Sequence, residues 1–282
     1  MPYCDWTAAP GSPAGYSWRV PNAQWPPAGV DPTKPSTARM YDYYLGGNDN
    51  FESDRVAARE IIAANPEVRM IARANRDFMV RAVTFMAEHG VRQFIDLGTG
   101  IPTSPNVHEI ASGSHPDARV VYVDHDPIVM AHNRATLESR PGVLTVQADL
   151  RRPGNILNHP GVQRLIDFSQ PFALLIVSVF HFVSDADDPP GILARFRHSM
   201  APGSFLALST TTSEGLSAEE IERIEATYTR AGVSPTGRTR EQVTALFDGF
   251  ELAPPGVVPV QSWRADGPAT RSRLLAGVAR LP

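Results

Sequence analysis

Phe94-Ile95-Asp96-Leu97-Gly98-Thr99-Gly100 and, about two dozen residues on, Val120-Val121-Tyr122-Val123-Asp124 decide how this chain folds. Each is an apolar, β-branched run carrying an acid at its end, and the first closes on a glycine-rich turn. Strand, tight turn, helix, strand, acid is the order found in the nucleotide-binding half of a doubly wound α/β sheet. The glycines let the backbone come close to a ligand. Asp124 stands where a carboxylate accepts both hydroxyls of a ribose.

Asp96 narrows the ligand. It lies two residues before Gly98, where a carboxylate would repel a pyrophosphate at close range. S-adenosylmethionine has no phosphate and carries a sulfonium and an ammonium, so the loop reads as a methyl-donor site. A dinucleotide pattern starting at Gly98 wants glycine or alanine at 103, where Thr103 stands. The pattern acid-x-Gly-x-Gly-x-Gly wants glycine at 102, where Pro102 stands. Asp96 and Thr103 together disfavour a nicotinamide-dependent oxidoreductase. A glycine-rich connection that holds no ligand is the plain alternative.

The composition is that of a soluble enzyme. The 282 residues can bury a large core, and a net charge of −4 supplies no basic field to recruit nucleic acid or an anionic membrane. Cys4 is the single cysteine, which excludes an internal disulfide and any multi-cysteine metal site. His108/His115 and His125/His132 have no acidic or cysteine partner at ligand spacing, so no metal is expected. No apolar run approaches the length of a membrane span, and the N-terminus lacks the charged start and apolar core of a signal peptide. The expected location is the cytoplasm, and the expected partner is a small molecule. Oligomeric state is not legible.

Residues 1–35 are rich in proline and glycine and read as a tail. Its aromatics (Tyr3, Trp6, Tyr16, Trp18, Trp25) suggest that part of it docks. Residues 36–90 then read as a helical lid. Ser36 is placed to cap a helix over Thr37–Leu45 that Gly46-Gly47 ends. A second helix runs from Glu52 to Ala64, and a third from Glu67 to His89. The third puts Val68, Ile71, Ala72, Asn75, Phe78, Met79 and Ala82 on one stripe. In the α/β domain, residues 91–282, Ser104 is read as the next N-cap with Pro105 following, and Asp126-Pro127 repeats the device. Phe172–Val179 is a continuous apolar run, as a strand buried on both faces requires. Ser204–Thr210 is a fifth strand. Val257–Trp263 and Leu274–Arg280 read as a closing antiparallel hairpin around Asp266-Gly267.

With Asp96, Asp124 and Asp149, the chain resembles a class I S-adenosylmethionine-dependent methyltransferase. More narrowly it resembles the actinobacterial S-adenosyl methyltransferase family, formerly a domain of unknown function. The segments that carry the likeness are Ala38–Gly47, Ala74-Asn75-Arg76, Gln93–Thr103, Asn106–Glu109, Val120–Pro127 and Ala276–Ala279. The resemblance implies a Rossmann-like, seven-stranded, mostly parallel sheet with its last strand inserted antiparallel near one edge.

It also implies roles for individual residues. Asp96 and the backbone at Gly98 and Gly100 would face the methionine moiety, and Asp124 the ribose. His125 would lie against adenine, Asp149 would accept its amino group, and the Leu150 N–H would meet a ring nitrogen. Ser178 and Val179 would lie near the sulfonium. For several residues two readings stand. Tyr43 or Arg39 either touches the cofactor or packs, and Arg76 either forks onto the cofactor carboxylate or forms a surface salt bridge. His181 is either a substrate-facing base or a hydrogen-bonded core histidine. A protein that binds the cofactor for regulation, without turnover, is the alternative to an enzyme.

Overall fold

A computed structural model describes residues 30–137, 139–215, 217–230, 234–265 and 273–282. The aromatic residues of the N-terminal tail and the Asp266-Gly267 turn lie outside the described residues. Three helices come first: α1 (Thr37–Leu45), α2 (Glu52–Ala64) and α3 (Val68–Glu88). Next come β1 (Gln93–Leu97), α4 (Val107–Ser114), β2 (Arg119–Asp124), α5 (Pro127–Thr136) and β3 (Val143–Gln147). Two short helices, α6 (Pro153–Leu157) and α7 (Pro160–Leu165), precede β4 (Ala173–Val177) and α8 (Pro189–Arg197). The chain closes through β5 (Phe205–Thr211), α9 (Ala218–Arg230), α10 (Arg240–Ala245), β6 (Glu251–Leu252), β7 (Val258–Pro259) and β8 (Leu274–Arg280).

The strands form one sheet in the order β3-β2-β1-β4-β5-β8-β6, with β7 also paired to β8. The first five strands are parallel, and β8 runs antiparallel against β5. The order reverses between β1 and β4, which opens a crevice at their carboxyl ends where such sheets take ligands. One face buries Ile95, Val121, Leu174, Leu206 and Phe196, the other Phe78, Phe94, Val120, Leu175 and Trp263. The expected stripe of α3 is buried along its whole length. Its helix is held flat on the sheet by that stripe rather than by its end caps.

The seven expected strand positions are filled, and the outermost is split in two, which brings the sheet to eight strands. There β6 pairs with Ala279 and Arg280, and β7 with Leu275 and Ala276. Three expectations need correction. The strand expected over Val257–Trp263 stops at Pro259, which has no N–H for a ladder, and a 3-10 turn over Val260–Ser262 carries Trp263 into the core. Trp263 meets Phe78 edge-on at 5.5 Å. The helix expected to start at Ser104 starts at Val107, where Asn106 and Glu109 form a capping box. Asn106 and Glu109 satisfy the first N–H groups better than Ser104 could. Ser36 precedes α1 as expected but its hydroxyl does not cap it: it donates to Asp126 Oδ2 at 2.6 Å, while its N–H donates to Asp54.

Candidate functional site

Asp96 and Asp124 lie at the carboxyl ends of β1 and β2, and both are buried. Burial pushes the Asp96 carboxyl up to about 6, against the opposing pull of Thr99 and the Arg76 cation. Burial likewise raises Asp124, because a charge loses its hydration there. Between the two runs the glycine loop. Gly98 has φ +68 and no room for a side chain, since a Cβ would lie 2.5 Å from Val179 Cγ2. Gly100 has φ +66 and nothing within 4 Å of such a Cβ, so the space above it is open.

Asp124 organises the loop. Its Oδ2 accepts the Gly100 N–H at 3.0 Å, and its Oδ1 accepts the Asp126 N–H at 3.0 Å. A carboxylate has about four acceptor positions, so about two remain, the number that a ribose diol requires. The helix cap falls to Asp126, whose Oδ1 accepts the Ile128 N–H at 2.9 Å. Ser36 on Asp126 Oδ2 therefore ties the start of α1 to the start of α5, next to Asp124. Ile101, Ile128 and Val129 pack with Val30, Ala38 and Phe51, which lays the N-terminal segment over the loop.

Arg76, on α3, is brought to the same loop. Its Nη2 donates to the carbonyls of Thr103 and Pro105 at 2.5 and 2.8 Å, and its charge reaches Asp96. Among the described residues it forms no salt bridge within 4 Å. Arg39 is committed elsewhere: it is 3% exposed, its Nε donates to Asp54 Oδ2 at 2.6 Å and its Nη2 to the Lys34 carbonyl. Tyr43 packs in the helical cluster with Arg69 stacked 5.1 Å from its ring.

At the other end, His125 is exposed with Nδ1 3.6 Å from Asp124. Asp149 is gripped by Arg151, which donates from its backbone, Nε and Nη2 at 2.7–3.0 Å and holds the carboxyl below its usual range. Leu150 packs against the core beside it.

Ser178, one residue past β4, has φ +61, a left-handed conformation that costs a non-glycine residue about 1–2 kcal/mol. Its N–H is held by Ser209, by the carbonyl at 3.0 Å and by Oγ at 2.9 Å. Ser209 Oγ donates to Asn75 Oδ1, Asn75 Nδ2 donates to the Tyr41 hydroxyl, and that hydroxyl donates to the Ala72 carbonyl, at 2.6, 2.9 and 3.0 Å. This relay joins α1, α3, β5 and the tip of β4. Sequence reading missed it, although a lone Asn75 on an otherwise apolar stripe was its one visible signal.

His181 lies just beyond, 5% exposed, and its Nδ1 lacks a hydrogen-bond partner among the described residues. Burial, helped by the Arg238 charge, lowers its pKa to about 3 and keeps the imidazole neutral. Among the described residues no group of three or more histidines, cysteines and acids is arranged to hold a metal ion.

A parallel sheet with a reversal between β1 and β4, two buried carboxylates flanking a glycine loop and an inserted antiparallel strand define a Rossmann-like methyltransferase. A family profile described as S-adenosyl methyltransferase matches residues 23–282, and the chain belongs to that family. Its activity is S-adenosylmethionine-dependent methyl transfer. A crystal structure of a candidate methyltransferase from Thermobifida fusca YX is 40% identical, with a TM-score of 0.85, over 91% of this chain and 98% of that one. A DUF574 family protein from Streptomyces avermitilis is 39% identical, with a TM-score of 0.84, over 89% and 99%. Among curated proteins none matches. No helix among the described residues is long and apolar enough to cross a membrane.

Proposed function

We propose that this enzyme holds S-adenosylmethionine across the carboxyl ends of β1 and β2 and methylates a small molecule that approaches from the tip of β4, in the bacterial cytoplasm. The observation that carries the reading is the pair of buried carboxylates, Asp96 and Asp124, on either side of a loop with open space over Gly100. The residues present fit the cofactor. Asp124 has acceptor positions left for the ribose hydroxyls, and Asp96 offers a buried carboxylate beside the methionine end. Arg76 has Nη2 spent on backbone carbonyls, which leaves its other N–H groups for the cofactor carboxylate. His125 and Leu150 would flank adenine. Asp149 would receive the adenine amino group by sharing a carboxylate that Arg151 now fills.

The bound cofactor supplies a methyl carbon already activated by its sulfonium. What the chain adds is alignment, which can carry much of the rate of an in-line displacement. Ser178 fixes the floor of that alignment. His181, neutral and with Nδ1 unpartnered among the described residues, offers an acceptor that would turn the X–H of the incoming molecule, not a strong base. Residues 36–90 act as a lid over the donor-binding domain of residues 91–282, with residues 1–35 as its tail. The Ser36–Asp126 bond supports this, since it anchors the lid beside Asp124. A net charge of −4 argues for a small acceptor over nucleic acid.

Calorimetry with S-adenosylmethionine, S-adenosylhomocysteine and NAD tests the reading. Saturable binding of the first two and none of NAD is expected. Binding of NAD alone would overturn it.

A further inference from the structure

The connection between α9 and α10 comes back to the tip of β4. Arg238 in that connection forms a parallel bridge with Thr212, just past the end of β5. The Arg238 N–H donates to the Thr211 carbonyl at 3.2 Å, and its carbonyl accepts the Ser213 N–H at 3.3 Å. The two segments run close, since a Cβ on Gly237 would lie 3.2 Å from Ser213 Cβ.

Pinned to β5 in this way, the segment holds the 3-10 turn Phe180–Phe182 that follows β4. It does so at three backbone carbonyls. Arg238 Nη1 donates to Phe180 at 2.9 Å and Nη2 to Val183 at 2.8 Å, while the Thr236 N–H donates to His181 at 2.6 Å. Nη2 also meets Asp185 Oδ1 at 2.8 Å. The Arg238 side chain is 5% exposed and that of Asp185 73%, so the cation is buried and its counter-charge lies in water. Burying a guanidinium is costly, and apolar packing would hold a turn at least as well. What this turn carries is His181, between the two carbonyls that Arg238 binds. His181 Nδ1 is buried without a hydrogen-bond partner among the described residues, and the ring leans on Phe182 with centroids 4.2 Å apart. Nδ1 gives the ring no anchor, so its place follows from the backbone of the turn. The same turn borders the donor loop, because Val179 occupies the space beside Gly98.

We propose that Arg238 is a positioning residue for methyl transfer: by holding the carbonyls of Phe180 and Val183 it fixes where His181 stands beside the incoming acceptor. The role presupposes the proposed approach of the acceptor from the tip of β4. Arg238 acts through the turn alone. Its charge adds a second effect, since a guanidinium near the ring disfavours imidazolium and reinforces the burial that keeps His181 neutral. Asp185, the acid at this turn, is drawn to the guanidinium and exposed, so it does little to offset that field. Lysine at 238 would keep the charge but bring one ammonium to carbonyls that a planar fork now spans.

The test reads the His181 ring by NMR in the full chain carrying nitrogen-15 histidine, with His181→Gln identifying its signals. In wild type the ring should stay neutral down to about pH 5, since its pKa is about 3. Arg238→Gln should displace the ring signals and raise that pKa by about two units or more, because the charge goes and the loosened turn admits water. Arg238→Lys should leave the ring neutral with its signals displaced less. Arg81→Gln is the control for a merely structural loss: it frees the carbonyls of Val260 and Trp263 from another guanidinium and should leave the His181 signals in place. Affinity for S-adenosylhomocysteine, by calorimetry, should change less than about threefold in both Arg238 variants. His181 signals unmoved in both Arg238 variants, or moved as far in Arg81→Gln, would overturn the inference. A larger loss of S-adenosylhomocysteine affinity would also overturn it, by placing Arg238 with the donor. Where Arg238→Gln does not fold, Arg238→Lys carries the comparison, and a wild-type His181 that titrates near the ordinary 6.5 overturns the inference by itself. Failure of wild type to bind S-adenosylhomocysteine would instead strike at the donor site, which the histidine signals do not involve.

Discussion

Asn75 and Ser209 lie 134 residues apart in the chain and share a 2.6 Å hydrogen bond inside the core. The bond fixes more than two side chains. Ser209 also holds the strained Ser178 N–H, so the position of the β4 tip depends on an amide carried by α3. Replacing Asn75 by Leu removes the amide, so the buried Ser209 hydroxyl loses its acceptor and the Tyr41 hydroxyl keeps only the Ala72 carbonyl. Urea unfolding should show a loss of about 1–3 kcal/mol. Turnover should fall more than donor affinity if Ser178 lies at the reacting end, as proposed above.

Gly98 and Gly100 share a backbone conformation and differ in surroundings, which makes them a matched pair. Gly100→Ala should cost only the left-handed backbone, about 1–2 kcal/mol, in the unloaded protein. Gly98→Ala adds a clash with Val179 and should cost more. Combining Gly98→Ala with Val179→Ala should recover stability. Thermal melts of the four proteins check this, and absence of recovery would show that the clash is not what limits Gly98.

Asp96 gives a pH signature. Its folded pKa, about 6, lies above the ordinary 3.8, so the folded state holds its proton more tightly than the unfolded one. The resulting penalty is absent below about pH 4, grows as pH rises through 6 and is complete above it. Asp96→Asn should therefore be more stable than wild type at pH 7.5, by up to about 3 kcal/mol, and equal to it near pH 4. Donor affinity should move the opposite way. In wild type it rises between pH 5 and 7 as the carboxylate forms, and in Asp96→Asn that rise is lost.

Arg39→Ala should destabilise the protein by about 3–5 kcal/mol, because it strands the buried Asp54 carboxylate. Asp54 also accepts the N–H groups of Ser36 and Phe51, so the starts of both α1 and α2 loosen with it. Donor binding should weaken as well, although the Arg39 guanidinium is held by Asp54 and the Lys34 carbonyl. The double variant Arg39→Ala with Asp54→Ala should be more stable than Arg39→Ala alone.

Asp124→Asn tests the proposed ribose contact better than alanine does. Alanine would orphan the N–H groups of both Gly100 and Asp126, whereas asparagine keeps an oxygen for one of them. Affinity for S-adenosylmethionine should drop about ten- to a hundredfold, with the melting temperature falling less than in Asp124→Ala.

Much of this was legible in the sequence because it is written in short-range pattern. The seven-residue stripe of α3, the glycine ends and the Asp126-Pro127 start each depend on neighbours within a turn or two. So does the acid-flanked loop between β1 and β2. What escaped was set by partners far along the chain. Ser36 looks like a cap until Asp126 offers its oxygen, and Arg39 looks free until Asp54 is buried beneath it. Ser104 lost the helix start to a box formed two residues later. The helices α6 and α7 are too short for a periodic signal. Asn75 stood out as polar among apolar neighbours, but nothing local names Ser209 as its partner.

The split outer strand has a consequence for how the molecule behaves among its copies. An outer strand of ordinary length would present a row of unpaired amides on which another chain could pair and extend the sheet. Here the margin beyond β8 is two fragments of two residues each, parted by Pro254-Pro255 and ended by Pro259. Neither fragment is long enough to template a new strand, and the prolines remove donors that one would need. On this side the fold resists self-assembly by backbone pairing, chiefly through the shortness of its edge.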